Sequence, residues 1–428
     1  MTSSRRPWAP VALFVPAMIL GACDSRSIVG HLGDGVDAGL SSTGGTPGTG
    51  GTPATGGTPA TGGSPGTGGT SGIGGSPIVV TGLPCAVLSA TGTPCVAAHS
   101  TTRVIYPGYA GPLYQVCKGT SVPGPNSCAN GTVLDIGSVG GYADAAAQDA
   151  FCNGGTCTIS VIYDQTGAGN HLMPAPGGGA KSTPDDPASA TDLATTVGGH
   201  PVYGLQIKTG MGYRAGCTGC GVPVAKGTAT GDQPETIYMI TSQKSLVNGC
   251  CFDYGNAEVD SHDDGDGTAE AVNFSNGVVW GTGAEADHAK GPWVMADLSN
   301  GLYAGWQNGS DQGIATNTAL HHDFVTAVLV GDSCTPDSCL SVSMPGRFAL
   351  YGADATTIGL QTMYDGSRPG RAGYAPASKQ GSIVLGIEGD NSAGGGGRFF
   401  EGAMATGAAT SAALQALQAS IVAAGYGK

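Results

Sequence analysis

Phe324-Val-Thr-Ala-Val-Leu-Val330 is the stretch on which the fold turns. It is a short apolar run rich in β-branched residues, and similar runs recur on both sides of it. They are Gly277-Val-Val-Trp280, Trp293-Val-Met-Ala296, Phe348-Ala-Leu-Tyr351 and Ser382-Ile-Val-Leu-Gly-Ile387. Glycine-rich turns separate them. Short runs of this kind, punctuated by turn residues, form strands, and many in succession predict an all-β sandwich or barrel. Two stretches read as helix instead: the alanine-rich Ala143–Phe151, and Ser411–Ala424 with apolar residues at Leu414, Leu417, Ile421 and Val422.

The β-type pattern begins at Ile78-Val-Val80 and continues to Lys428 without a second change of composition, which predicts one domain over 78–428. Upstream, Thr43–Gly75 is built on a Thr-Gly-Gly-Thr-Pro repeat. Such a segment cannot bury enough apolar surface to offset its chain entropy, so 23–77 is expected to be a disordered tether. Before it, Arg5 and Arg6 precede an apolar run, Val11–Leu20, that closes in Leu20-Gly-Ala-Cys23. This is a signal-peptide pattern over 1–22, too short for a mature membrane span. The closing tetrapeptide resembles a lipobox, with Cys23 as the lipidation site; an ordinary leader with a chance cysteine is the alternative. Export, and a lipid anchor at a bacterial cell envelope or surface, are the expectations.

Seventeen basic residues face 31 acidic ones, a net charge of −14, and only 11% of the chain is charged. Nothing here could neutralise a run of phosphates or hold an anionic bilayer, so nucleic acid is excluded and the membrane is reached only through the anchor. The balance suits an exported monomer that handles a neutral ligand. Of 13 cysteines, Cys23 belongs to the lipid signal and twelve remain, an even number that reads as disulfides in an exported chain. Near neighbours suggest Cys85–Cys95, Cys117–Cys128, Cys152–Cys157, Cys217–Cys220 and Cys334–Cys339. That leaves the adjacent Cys250 and Cys251, whose bridge would close a strained eight-membered ring. Pairing elsewhere stays open, as does a zinc site with Cys217 and Cys220, which an oxidising compartment disfavours. Spacing does not decide the connectivity.

Several long strings point further. They are Leu83-Pro-Cys85, Thr93-Pro-Cys-Val-Ala-Ala-His-Ser-Thr-Thr-Arg103, Leu113-Tyr-Gln115, Ala145-Ala-Ala-Gln-Asp149 and Ile162-Tyr-Asp-Gln-Thr-Gly167. Downstream come Cys250-Cys-Phe-Asp-Tyr-Gly-Asn-Ala-Glu258, Gly291-Pro-Trp293, Gly386-Ile-Glu-Gly-Asp-Asn-Ser392 and Phe400-Glu-Gly402. In this order they resemble the arabinofuranosidase B catalytic domain, glycoside hydrolase family 54, over essentially all of 78–428. The resemblance implies a concanavalin A-like two-sheet β-sandwich (a jelly roll) with a few short helices. It also implies retaining removal of terminal α-L-arabinofuranosyl groups from arabinoxylan or arabinan, with no cofactor and no metal. The family's C-terminal arabinose-binding β-trefoil has no counterpart in this sequence.

Carried onto this chain, the resemblance makes Asp390 the acid/base and Cys250–Cys251 an apolar platform beneath the sugar. It makes Trp280 and Leu302 pocket walls, Asp297 and Asn300 partners of the sugar hydroxyls, and Gly389 a substrate-binding residue. For Asp390 the plain alternative is a turn aspartate, and for Trp280 and Leu302 core packing. The nucleophile's position departs from the family. The strand expected over Trp293-Val-Met-Ala-Asp-Leu-Ser299-Asn-Gly-Leu302 aligns without a gap and puts Ser299, in mid-strand, where a glutamate is expected. Retention needs two carboxyls about 5–5.5 Å apart, and a serine cannot replace one of them. Three repairs are open. Strand alternation would set Glu388 on the face of Asp390, Asp297 lies two residues from Ser299, or a more distant carboxylate activates water with inversion. Two rival functions also remain: arabinofuranoside binding without hydrolysis, and a furanosidase for β-D-galactofuranosyl or D-arabinofuranosyl groups.

Three motifs are set aside. His262-Asp-Asp-Gly-Asp-Gly267 lacks the carboxylates of a calcium loop and reads as an exposed acidic turn. His99 with Arg103 reads as a satisfied buried pair, and His321-His322 as surface.

Overall fold

In the computed structural model, the described residues are 82–276, 291–306, 317–332, 346–370 and 372–428. The leader, Cys23, the tether, Trp280, Cys334 and Cys339 lie outside them. Two antiparallel sheets organise the rest. The six-stranded sheet runs, in spatial order, Cys95–Ser100, Glu401–Thr406, Glu235–Thr241, Val325–Asp332, Arg347–Asp354 and Gln361–Ser367. The seven-stranded sheet runs Leu302–Tyr303, Trp293–Asp297, Glu270–Ser275, Asp253–Ala257, Ser382–Leu385, Tyr213–Ala215 and Met173–Pro174. Glu270–Ser275 and Trp293–Asp297 pack across Glu235–Thr241, Val325–Asp332 and Arg347–Asp354, which makes the pair a two-sheet β-sandwich. The apolar run from Phe324 becomes Val325–Asp332, buried along its length except at Asp332.

Alternation along the seven-stranded sheet divides its faces. Val272, Phe274, Val294, Ala296, Ile383 and Leu385 join the main core between the sheets. Trp293, Met295, Leu302 and Ala304 form a separate cluster on the opposite face, where the polar side chains considered below also gather. The space between the sheets holds charged side chains as well. Glu270 projects towards Gly331, where a methyl would stand 2.0 Å from its Oε2, so only glycine fits opposite it. Lys379 Nζ reaches Glu270 at 2.6 Å and Glu235 at 3.2 Å, and Arg368 reaches Glu270 at 3.1 Å and Asp232 at 2.6 Å.

The helices follow their caps. Ser411–Ala424 starts at Thr410, whose hydroxyl accepts from Ala413 N, and stops at Gly425 with φ +73°. Leu414, Leu417 and Ile421 are wholly buried. The alanine-rich helix is Ala145–Cys152, capped by Asp144. A third helix, Pro84–Ala90, was not anticipated. Five disulfides join Cys85–Cys95, Cys117–Cys128, Cys152–Cys157, Cys217–Cys220 and Cys250–Cys251, so neither Cys217 nor Cys220 is free for zinc. The pairing suggested for Cys334 and Cys339 falls outside the described residues. His99 and Arg103 are buried but do not pair with each other. His99 bonds Tyr254 and the Asn170 carbonyl, and Arg103 forms a bidentate pair with Glu401.

Candidate active site

The outer face of the seven-stranded sheet begins with three strands in register. Asp253 lies opposite Asn273, and Ala271 opposite Asp297. Asn273 Nδ2 donates to Asp253 Oδ1 at 2.6 Å, and Ser275 Oγ donates to Asn273 at 2.8 Å. Asp253 Oδ2 receives no N–H or O–H. It faces the Asp297 carboxylate, to which it can bond only by keeping a proton. Burial and the neighbouring Asp297 charge hold the Asp253 carboxyl well above its ordinary range, and burial raises Asp297 too. Two close carboxyls away from water share one proton, and the causes assign it to Asp253.

Above this pair sits the Cys250–Cys251 disulfide. Cys251 Sγ lies 3.3 Å from Asp297 Oδ2, an approach of sulfur to oxygen, since the bridged sulfur carries no hydrogen. Both sulfurs and an Asp297 oxygen fall within 4.8 Å of one another, yet a disulfide offers a metal no thiolate. Cys251 N donates to Ser392 O at 3.2 Å, and Gly394 N to Cys250 O at 2.7 Å. The disulfide is thereby bonded to the loop that carries Asp390.

That loop is a turn. The strand expected to reach Ile387 ends at Leu385, because Gly386 takes φ +81° and redirects the chain. Asn391 N bonds Glu388 O at 3.1 Å, Ser392 N bonds Asp390 Oδ1 at 2.8 Å, and Asn391 has φ +69°. The proximity of Glu388 to Asp390 therefore comes from a tight turn and not from strand alternation. Asp390 does satisfy a turn amide, as its plain reading holds, and it also accepts a bond from Glu388. Burial first, then the charges of Asp297 and Asp390, hold the Glu388 carboxyl well above its ordinary range. Glu388 is thus a protonated donor to Asp390.

Ser299 is likewise in a turn and not in mid-strand. The chain leaves the sheet at Asp297, Leu298 N bonds Gly301 O at 3.0 Å, and Ser299 and Asn300 both adopt positive φ, +57° and +52°. Left-handed backbone at a serine costs on the order of 1 kcal/mol or more, and three bonds hold it. Ser299 N donates to Asp297 Oδ1 at 3.0 Å, Tyr374 Oη to Ser299 O at 2.9 Å, and Ser299 Oγ to Glu258 Oε1 at 2.9 Å.

Glu258 is the site residue that sequence reasoning missed. It lies inside the quoted Cys250–Glu258 string, one residue past the strand Asp253–Ala257, so its only signal was an acidic residue ending a buried strand. Thr268 Oγ1 donates to the same Oε1 at 2.7 Å, while Oε2 has no donor and lies against Gly389. Burial raises its carboxyl, and Thr268, Ser299 and Arg214 partly offset that. Arg214 Nη2 donates to Glu258 O at 2.9 Å and to Gly389 O at 2.6 Å, tying the two acidic segments to one guanidinium. Its Nε and Nη1 meet no acceptor among the described residues. Burial lowers Arg214 to about 10, so it stays charged at neutral pH.

Cys250, Cys251, Asp297, Ser299, Glu388, Gly389 and Asp390 are thus brought together. Leu302 pairs with Asp297 in the hairpin and packs on Trp293 and Met295. Asn300 turns away and donates to Asp263 of the exposed acidic turn at 3.2 Å.

The description "Alpha-L-arabinofuranosidase B, catalytic" belongs to the family model that matches residues 84–427. A Trichoderma koningii protein named arabinofuranosidase/B-xylosidase is 44% identical over 352 residues, covering 81% of this chain and 64% of its own. The α-L-arabinofuranosidase B of Aspergillus oryzae is 43% identical over 354 residues, covering 81% and 63%. The crystal structure of an arabinofuranosidase complexed with arabinofuranosyl-α-1,2-xylobiose superposes with a TM-score of 0.67 at 39% identity, covering 80% of this chain and 65% of that one. The chain spans less than two thirds of the length of these relatives.

Proposed function

The chain belongs to the family of α-L-arabinofuranosidase B catalytic domains, and from that premise we propose that it is an exported glycoside hydrolase. Its substrate would be the terminal α-L-arabinofuranosyl group of arabinoxylan- or arabinan-type polysaccharides. The observation that carries the reading is the convergence of Asp297, Glu388, Asp390 and Glu258 beside the Cys250–Cys251 disulfide. A hydrolase needs two ionisable carboxyls in different environments, one to give a proton and one to help the attack. The disulfide supplies a rigid apolar face for a furanose ring at little ordering cost. Asp390 delivers to the leaving oxygen the proton it shares with Glu388, whose hydrogen bond keeps it oriented. The leader pattern, Cys23 and the Gly/Thr/Pro-rich tether support export on a lipid anchor. Ser299 favours a second reading, in which the same pocket binds arabinofuranosides without cutting them.

One experiment separates these readings. The full chain and its Asp390→Asn variant are given arabinoxylan and the 4-nitrophenyl glycosides of α-L-arabinofuranose and β-D-galactofuranose, with activity followed in membrane and soluble fractions. Hydrolysis should appear in the membrane fraction. The variant should lose about 10²–10⁴-fold on arabinoxylan, and less on the nitrophenyl glycoside, whose leaving group needs little protonation. Arabinofuranoside binding by calorimetry without release would establish the second reading. Activity that stays soluble would remove the anchor.

A further inference from the structure

We propose that Glu258 is the second carboxyl of this site, acting through the Ser299 hydroxyl on an attacking water, so that this chain hydrolyses its glycoside with inversion. The inference rests on the hydrolase reading above and deepens it.

Ser299 itself is a poor nucleophile for the task. A sugar bonded to a serine oxygen is an ordinary acetal, as hard to cleave as the substrate, whereas a carboxylate ester is a good leaving group. A serine side chain is also two atoms shorter in reach than a glutamate's. Inverting hydrolases set their carboxyls about 6.5–9.5 Å apart, against about 5–5.5 Å in retaining ones, and the difference admits one water. Shortening the nucleophile's side chain changes the site in that direction.

The other carboxyls are engaged. Glu388 bonds Asp390 and so lies on the acid's side of the scissile bond, where a base for back-side attack cannot stand. Asp297 accepts the Ser299 amide and shares a proton with Asp253. Glu258 differs from both. Its Oε1 accepts the Ser299 and Thr268 hydroxyls at 2.9 and 2.7 Å, which directs the Ser299 hydrogen at the carboxylate and leaves the Ser299 lone pairs to accept from water. Burial raises its basicity towards the working range of a general base. Arg214 holds the main chain of Glu258 and of Gly389, so base and acid are registered against each other.

The step balances. The water oxygen bonds to the anomeric carbon as the glycosidic C–O bond breaks, and Asp390 gives the departing oxygen the proton it shares with Glu388. Ser299 passes its hydroxyl proton to Glu258 and receives one from the water. Glu388 and Asp390 both end ionised and Glu258 protonated, and exchange with solvent restores the starting state.

The test uses the full chain, the glycoside it cleaves fastest, and about 10% methanol. Wild type should give no methyl glycoside, because methanol trapping reports a covalent intermediate, and proton NMR should show the inverted anomer first. Ser299→Glu, which restores a nucleophile, should yield the methyl glycoside. Glu258→Gln should lower kcat by about 10²–10⁴-fold, with KM changed less than about twofold, and should abolish the acidic limb of the pH profile. Thr268→Val removes one bond to the ionised carboxylate and should move that limb to higher pH, which keeps the test informative if Glu258→Gln misfolds. Methyl transfer by wild type, or an acidic limb untouched by both variants, overturns the inference and leaves the hydrolase reading standing. A wild type that cleaves no furanoside overturns both.

Discussion

Gly389→Ala perturbs the contact that joins the two halves of the site. A methyl there would stand 1.5 Å from Glu258 Oε2, 2.7 Å from its Cδ and 3.2 Å from its backbone nitrogen. Opening the shortest contact to about 3 Å or more demands a movement of at least about 1.5 Å. Neither side can yield freely. Glu258 is held at Oε1 by Thr268 and Ser299, and its carbonyl shares Arg214 with the carbonyl of Gly389. Overpacking of this kind costs about 1–3 kcal/mol, which should lower Tm by several degrees at about 2–4 °C per kcal/mol. The movement falls on the residue next to Asp390, and misplacing a catalytic group by about 1 Å costs on the order of 10²-fold in rate. Calorimetric melts and kcat would be compared with Gly137→Ala, where a methyl meets nothing within 4 Å and no change is expected. A Gly389→Ala protein that melts and turns over like wild type would show that Glu258 does not lie under Gly389, and the reasoning about the paired carboxyls would fail with it.

Two further outcomes follow from buried charge. The folded protein holds a proton on Asp253 that the unfolded chain releases near pH 4, so the stability from this group is complete below that pH and declines as pH rises towards the raised folded value. The slope is up to about 1.4 kcal/mol per pH unit. Asp253→Asn keeps a donor towards Asp297 without the titration, so its Tm relative to wild type should rise between pH 5 and pH 8; a constant difference would show that no proton is shared there. Lys379→Met removes the cation 3.2 Å from Glu235 and leaves Glu270 with Arg368, and should cost about 3–5 kcal/mol at pH 8. In that variant Glu235, already raised to about 7 by burial, and Glu270, held low despite burial by Lys379 and Arg368, both move up, so urea denaturation should find a smaller loss at pH 5; an equal loss at both pH values would assign the cost to packing alone.

Much of the fold was legible because local chemistry decides it. The run at Phe324, the apolar period of Ser411–Ala424 and the near cysteine neighbours each carry their instruction within about a dozen residues. The limits of the reading are equally physical. Ser382–Ile387 and Trp293–Leu302 both looked like continuous strands, yet Gly386, Ser299 and Asn300 take positive φ, which other parts of the fold enforce. The tilt of Asn300 towards Asp263 had no local sign. Glu258 stood in a string already singled out, but nothing nearby in sequence marks it as the acceptor of a hydroxyl 41 residues away.

The sequence by itself determined the all-β class, the helices at Ala145 and Ser411, the close spacing of the cysteines, and the serine at position 299. It did so because strand period, helix period and short Cys spacings are properties of contiguous chain. Only the tertiary structure decided which carboxyls meet. Asp253 with Glu258, Asp297 and Asp390 belong to three separate segments, and sheet register, two turns and the Arg214 guanidinium bring them to one face. Burial there raises Asp253, Glu258, Asp297 and Glu388 because charge is costly away from water, an effect that arises only once the chain has closed around them.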